Sequence, residues 1–154
     1  MLTKNELDFK RTQARQVFDS VKATWIQTGK WALPHRTRWM QSRMEGERNN
    51  HIIVDTTHII ALRSFVAGFL EGNTSASRQW YRFGTGDRSI DLEPQNHKWL
   101  DAFNTRTLRA LNVTNFYHSA GIFYYDFGTF NTGAHFIEEM PNNTLHWHTH
   151  TPGS

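Results

Sequence analysis

Aromatic side chains supply much of the apolar bulk of this sequence. Its 154 residues include 6 Trp, 4 Tyr and 11 Phe, yet the hydrophobic fraction is only 38%. Because each buried ring removes a large area from water, we expect one domain whose core is built from rings more than from aliphatic side chains. The chain has no cysteine, which excludes a disulfide scaffold, a thiol nucleophile and a zinc site with sulfur ligands.

Apolar residues recur at helical spacing in several parts of the chain. Pro34 is placed to end the first such stretch, Asp55 to cap the second, and Pro94 to open the third. Helices with this pattern bury the stripe formed by positions i, i+3, i+4 and i+7. The predicted helices cover roughly residues 4–32, 55–72, 94–111 and 114–129.

The second predicted helix is nearly apolar enough to lie at the centre of the core. Ala61, Ala67 and Gly68 are small enough to let another element approach this helix closely. An aromatic stripe in the fourth helix is expected to pack in the core rather than hold a cofactor. That stripe comprises Phe116, Ala120, Phe123, Phe127 and Phe130.

Near the C-terminus, the apolar period changes from helical to alternating. Residues 134–139 and 144–149 each alternate, and Pro141 with the two asparagines after it makes a turn between them. This pattern predicts an antiparallel β-hairpin. Short extended pieces are also expected at residues 51–54 and 80–83. The predicted fold class is therefore α+β, mostly helical, with about four helices and one small hairpin.

The charge balance is only mildly basic, with 17 Lys and Arg against 14 Asp and Glu. The excess gathers around one segment, whose cations are Lys30, Arg36, Arg38, Arg43 and Arg48. Such a segment is usually solvated surface. It also leaves open a second hypothesis, in which the chain is a small basic nucleic-acid-binding domain.

Three histidines spaced by two, His146, His148 and His150, are the strongest metal-like signal in the chain. On a strand their imidazoles share one face, and Glu138 and Glu139 could add an oxygen ligand. The three positions would spread over roughly 13 Å, whereas a catalytic zinc needs ligands that converge. We therefore predict a polar strand face, with His146 and His148 as weak candidates in a metal-dependent hydrolase hypothesis.

Catalytic motifs are missing from the rest of the sequence. The turn at residues 84–86 has neither the third glycine of a dinucleotide fingerprint nor the Gly-Lys-Ser/Thr of a P-loop. Asp87, Asp91 and Glu93 form an acidic cluster, but no base or nucleophile can be paired with it. We predict that the chain is not an enzyme and takes no cofactor. No apolar stretch is long enough to suggest a membrane span, so no membrane partner is expected.

A succession of short motifs extends over most of the chain, from about residue 10 to 150. In chain order they are Trp25 and Trp31 before Leu33-Pro34, then Asp55-Thr56-Thr57, Ala67-Gly68-Phe69-Leu70, the segment 73–83, Trp99-Leu100, Thr114-Asn115-Phe116-Tyr117, Phe127-Gly128-Thr129 and the strand 133–139. As a whole this succession resembles the N-terminal part of the portal, or head-to-tail connecting, protein of short-tailed bacteriophages. Subunits of that family are several times longer, so the resemblance implies that residues 1–154 are one wing-like domain, truncated at its C-terminus.

The resemblance also implies a function and a set of partners. The expected assembly is a homo-oligomeric, dodecameric ring at one capsid vertex, through which DNA enters during packaging and leaves during ejection. The expected partners are capsid and scaffold proteins, the terminase, tail adaptor proteins and double-stranded DNA bound without sequence specificity. The expected location is the virion, and the host cytoplasm during assembly.

Aromatic residues and arginine are enriched in the buried centres of protein interfaces. A chain rich in tryptophan but low in overall hydrophobicity could complete its core with neighbouring subunits. Together with the resemblance, this implies that the candidate interface or packing residues are Arg63, Trp80, Arg82, Phe116 and Tyr117.

Overall fold

The computed structural model describes residues 3–37, 55–141 and 144–152. Within these ranges the fold is α+β and mostly helical, as predicted. The elements are α1 (Lys4–Ala32), α2 (Thr57–Asn73), α3 (Arg88–Asp91), α4 (Pro94–Val113), α5 (Phe116–Phe130), β1 (Ala134–Glu139) and β2 (Leu145–His150).

Helix α1 has the bounds that its sequence predicts, because both of its ends carry strong signals. Thr3 and Glu6 form a capping box, in which the Thr3 hydroxyl accepts from the Glu6 backbone N–H and the Glu6 carboxylate accepts from the Thr3 N–H. At the other end, the Leu33 N–H donates to the Gly29 carbonyl and Pro34 follows. Proline cannot continue the helical hydrogen-bond pattern, so the helix stops there.

Helix α4 begins at Pro94 as predicted, whereas α2 and α5 begin about two residues later than predicted and one short helix was not predicted. The cap of α2 is Thr56 rather than Asp55, although the Asp55 carboxylate still accepts from the Thr57 N–H at 2.9 Å. The sequence did not predict α3, a single turn opened by the Asp87 carboxylate, which accepts from the Ser89 N–H. One turn is too short to produce a periodic apolar pattern. The strand expected at 51–54 lies outside the described residues.

Helix α5, rather than α2, forms the centre of the described core. Six of its residues are buried, against two on α2. Helices α1 and α2 and the hairpin all pack on it, and the Trp25 ring of α1 lies 5.8 Å from the Phe130 ring of α5. The buried α5 residues are Phe116, Ser119, Ala120, Asp126, Thr129 and Phe130.

The close approach between helices occurs at Gly128 of α5, not at the small residues of α2. A Cβ atom at Gly128 would lie 2.8 Å from a methyl carbon of Leu62 and 2.9 Å from the Phe65 ring. A Cβ at Gly68 would have nothing within 4 Å. The prediction that Gly68 and its neighbouring alanines allow a close approach is therefore wrong for Gly68.

We expect Gly128→Val to lower the free energy of unfolding by about 1–3 kcal/mol, because the added atoms overpack the contact between α2 and α5. Gly68→Val is the matched control, since it makes the same change in open space on a helix and should alter stability by less than about 0.5 kcal/mol. Urea unfolding followed by circular dichroism measures both. Equal losses in the two variants would contradict this account of the helix packing.

Strands β1 and β2 form the predicted antiparallel hairpin. Their register pairs Ala134 with His150, Ile137 with Trp147, and Glu139 with Leu145. Asn131, in the left-handed conformation, ends α5 and turns the chain toward β1. Residues 80–83 form a loop segment with no strand partner in the part of the chain that the structure describes.

None of the helices in the described ranges combines the length and apolar character that a membrane span requires.

Candidate functional site

A cluster of aromatic rings surrounds Phe116 at the start of α5. The Phe116 side chain is buried, and its ring centroid lies 4.8 Å from that of Trp147, 5.0 Å from Tyr117 and 6.0 Å from Trp80. The Trp80 and Phe116 rings are stacked, with planes 8° apart. This cluster joins three separate parts of the chain: the loop after α2, helix α5 and strand β2.

Asn115 attaches the same end of α5 to the hairpin. Its side-chain oxygen accepts from the Trp147 N–H at 2.8 Å, and its side-chain nitrogen donates to the Trp147 carbonyl at 2.7 Å. The Asn115 side chain thus forms hydrogen bonds with the backbone N–H and carbonyl of Trp147. A neighbouring strand would otherwise form these bonds at the edge of β2 that does not pair with β1. The motif Thr114-Asn115-Phe116-Tyr117 therefore couples a helix start to a strand edge, a role its sequence alone does not reveal.

Several polar atoms in the ring cluster are buried without a partner among the described residues. They are the indole nitrogens of Trp80 and Trp147 and the hydroxyl oxygen of Tyr117. Buried donors and acceptors are almost always paired in folded proteins. Within the described residues, these three groups are exceptions to that rule.

The structure brings three of the five predicted interface or packing residues together. Trp80, Phe116 and Tyr117 share the ring cluster, while Arg82 follows it closely along the same loop. Arg63 lies apart on α2, where it lines a cavity of about 250 Å³ with Leu33, Tyr125 and others. An interface role for these residues remains a prediction, whereas packing contacts are directly visible for the three rings.

Arg82 belongs to an exposed network beside the ring cluster. Its guanidinium lies 2.9 Å from the His97 Nε2 atom and 3.4 Å from the Oδ1 atom of Asp101. The other carboxylate oxygen of Asp101, Oδ2, lies 3.0 Å from the His97 Nδ1 atom. With Trp80 and Tyr81, these residues line an open cleft of about 590 Å³. Exposed ion pairs of this type contribute little to stability. The cleft is lined mostly by polar and charged side chains, so it suits polar contact with another molecule.

A half-buried Arg36 and a buried Asp126 form an ion pair that holds three elements together. The Arg36 Nη1 atom donates to the Asp126 carboxylate at 2.6 Å and to the Thr151 hydroxyl at 3.4 Å, so it connects the segment after α1, helix α5 and the end of the hairpin. Asp126 is 0% exposed. Burial raises the pKa of Asp126 above its ordinary value, and the nearby guanidinium opposes that rise.

This ion pair changes the interpretation of the basic segment. Arg36, which the sequence offered as a nucleic-acid contact, uses its charge internally on Asp126. Lys30 is half-buried beside the Trp31 ring. The other cations of the segment, Arg38, Arg43 and Arg48, lie outside the described residues.

The histidines of β2 share one face of the hairpin, as predicted. The rings of His146 and His148 are 4.5 Å apart, those of His148 and His150 are 6.5 Å apart, and the His148 Nε2 atom lies 3.3 Å from a Glu138 carboxylate oxygen. In the described ranges, no three His, Asp or Glu side chains are arranged so that they could hold a metal ion. The geometry therefore fits a polar strand face better than a metal-dependent hydrolase.

The acidic cluster before α4 organises a turn. Asp91 accepts hydrogen bonds from the Thr85 backbone N–H and hydroxyl at 2.9 and 2.6 Å, and these bonds lower the pKa of Asp91. Asp87 caps α3, and its bonds from Ser89 lower its pKa in the same way. Gly86 takes a positive φ of 86° in the same turn. These carboxylates thus have structural partners.

The chain matches the family model described as bacteriophage head to tail connecting protein over residues 4–154. It therefore belongs to that family of structural proteins, which join the head and tail of a phage.

Two curated relatives carry more particular names. The chain is 30% identical over 128 residues to the portal protein of Salmonella phage epsilon15, an alignment that covers 82% of this chain and 23% of the relative. It is 28% identical over 142 residues to the probable portal protein of Bordetella phage BPP-1, covering 92% of this chain and 26% of the relative. The chain thus spans about a quarter of the length of the curated relatives it matches.

Proposed function

We propose that this chain is the wing-like part of a portal subunit in a tailed phage. In this proposal, copies of the subunit form a closed, dodecameric ring at one capsid vertex, and the ring is the conduit for DNA packaging and ejection. The subunit would be present in the host cytoplasm during assembly and in the virion afterwards. The observation that carries the proposal is the family match over residues 4–154, together with relatives named as portal proteins.

One property of the structure supports an assembly role. Large apolar side chains are widely exposed among the described residues, including Leu92 at 66% and Trp99 at 64%. Exposed apolar area on this scale is typical of a surface that another protein covers.

The partners we propose follow from this position in the particle. Capsid and scaffold proteins would contact the outer part of the ring, the terminase would dock during packaging, and tail adaptors would replace it afterwards. ATP hydrolysis would belong to the terminase, so this chain needs no catalytic residues. DNA contacts would be made through charge alone, because a moving duplex must pass without base readout.

The test is to isolate the polypeptide from purified phage heads and measure the mass of its native assembly. We expect a closed ring of identical subunits whose peptides cover this sequence. A monomer that is absent from the heads would contradict the proposal. If that monomer also bound DNA tightly and with steep salt dependence, a free-standing nucleic-acid-binding domain would be the better account.

A further inference from the structure

The first half of α1 extends beyond the rest of the fold. We define the α1 arm as residues 4–17, all of which are exposed. The apolar stripe that packs inward at Trp25 and Phe18 continues along the same helix face through Ala14 to Leu7. Successive members of the stripe are four or seven residues apart, which is close to one or two turns of an α-helix. Leu7 is 53% exposed and Val17, at the edge of the stripe, is 65% exposed. An established packing face therefore continues, uncovered, along the arm.

A second uncovered surface lies on α4 and the loop before it. The Phe103 ring stacks on Trp99 at 5.5 Å and meets Phe83 edge-on at 5.3 Å. Leu92 lies with Phe83 along an adjoining groove. We define the α4 ring surface as Phe83, Leu92, Trp99 and Phe103, which are exposed by 46, 66, 64 and 42%. Four large apolar side chains thus form one continuous exposed surface.

The α1 arm carries net positive charge, and one edge of the α4 ring surface carries net negative charge. The α1 arm has four cations, Lys4, Lys10, Arg11 and Arg15, against the anions Glu6 and Asp8. The edge of the α4 ring surface, residues 87–93, has three anions, Asp87, Asp91 and Glu93, against the cation Arg88. Complementary charge of this kind favours correct pairing and faster association between two surfaces.

The arm cannot reach the α4 ring surface of its own chain. Helix α1 packs on α2 and α5, whereas α4 packs on α3 and α5. The arm is a continuous part of α1 and extends roughly 20 Å at 1.5 Å per residue, so it cannot fold back without breaking the helix. A second copy of this chain offers both an apolar face and the charge that matches this edge.

We propose that the α1 arm of one copy docks on the α4 ring surface of the next copy. This inference deepens the proposed function and rests on it. Because the two surfaces are different patches of one molecule, the contact between copies is head-to-tail. Such a contact closes into a ring when a whole number of equal rotations between neighbouring copies makes one full turn. The contact leaves each dimer with one free arm and one free α4 ring surface, so assembly can continue.

The test compares the 154-residue chain with single-charge variants by sedimentation velocity over a range of concentrations. We expect Leu7→Glu on the arm and Trp99→Glu on the α4 ring surface each to weaken self-association by about tenfold or more, because each places a charge in an apolar contact. Both side chains are exposed, so far-UV circular dichroism should be unchanged. Ile60→Glu on α2, where Ile60 is 59% exposed, is the matched control and should associate as the parent does.

A mixture of the two defective variants gives the most specific result. Leu7→Glu keeps an intact α4 ring surface and Trp99→Glu keeps an intact arm, so an equimolar mixture should form a dimer at parental affinity and stop there. If the mixture stayed monomeric, or if Ile60→Glu weakened self-association as much as the other two variants, the docking would be overturned. Neither result would contradict self-association of the parent chain or the proposed function. A parent chain that stays monomeric would also overturn it, whereas the presence of the polypeptide in phage heads tests the proposed function separately.

Discussion

Replacing Phe116 by alanine should lower the free energy of unfolding by about 3–5 kcal/mol, the usual loss when a buried phenylalanine is truncated. The ring lies between Trp80, Tyr117 and Trp147, so its removal leaves a cavity where three parts of the chain meet. Of these neighbours, Trp147 is held by the Asn115 contacts to β2, which limits how far the cavity can collapse. Urea unfolding, followed by tryptophan fluorescence, measures the loss and reports on two of the lining rings.

Phe136→Ala is the matched control for this prediction. Phe136 lies on β1 and is 57% exposed, so its truncation should cost less than about 1 kcal/mol. If Phe116→Ala were as mild as Phe136→Ala, the ring cluster would not be a centre of stability, and the role assigned to the Thr114-Asn115-Phe116-Tyr117 motif would be wrong.

Replacing Arg36 by methionine should cost about 3 kcal/mol at neutral pH, because it leaves the Asp126 carboxylate buried without its cation. Methionine keeps much of the side-chain length and removes the charge. Arg82→Met is the control, since Arg82 and its partner Asp101 are 61% and 53% exposed and an exposed pair contributes at most about 1 kcal/mol. Urea unfolding of both variants measures the difference.

The loss in Arg36→Met should depend on pH in a defined direction. The folded-state pKa of Asp126 is raised by burial, so its contribution to stability is fully present below the ordinary pKa of an aspartate and is lost as pH rises through the folded-state pKa. Removing Arg36 removes the group that opposes this rise. The variant should therefore be closest to the parent in acid and lose stability progressively toward neutral pH. A loss of the same size at every pH would contradict a buried, charge-paired Asp126.

The parts of the fold that the sequence predicts are those with a local signal. Helix α1 has a cap at Thr3 and a stop at Pro34, and the apolar repeat between them is regular, so both bounds follow from the sequence. The hairpin follows from strict alternation on both sides of a turn. The short helix α3 does not, because its formation depends on the single Asp87 cap.

The features that the sequence does not reveal depend on contacts between distant residues. Arg36 and Asp126 are 90 positions apart, and Asp126 sits inside an aromatic stripe where nothing indicates a partner. Gly128 and Gly68 look equivalent as small residues on helices, yet only Gly128 faces a neighbouring helix. The candidate residues Trp80, Phe116 and Tyr117 follow from composition and from the family resemblance, whereas their meeting in one ring cluster follows only from the tertiary fold.

An asymmetric reconstruction of the phage particle by electron cryo-microscopy tests the central claim most directly. The account predicts density at a single capsid vertex that fits α5 with its packed helices and hairpin, repeated around the axis of that vertex. A ring at that vertex traced entirely by another polypeptide, with this chain located elsewhere or absent from the particle, would contradict it.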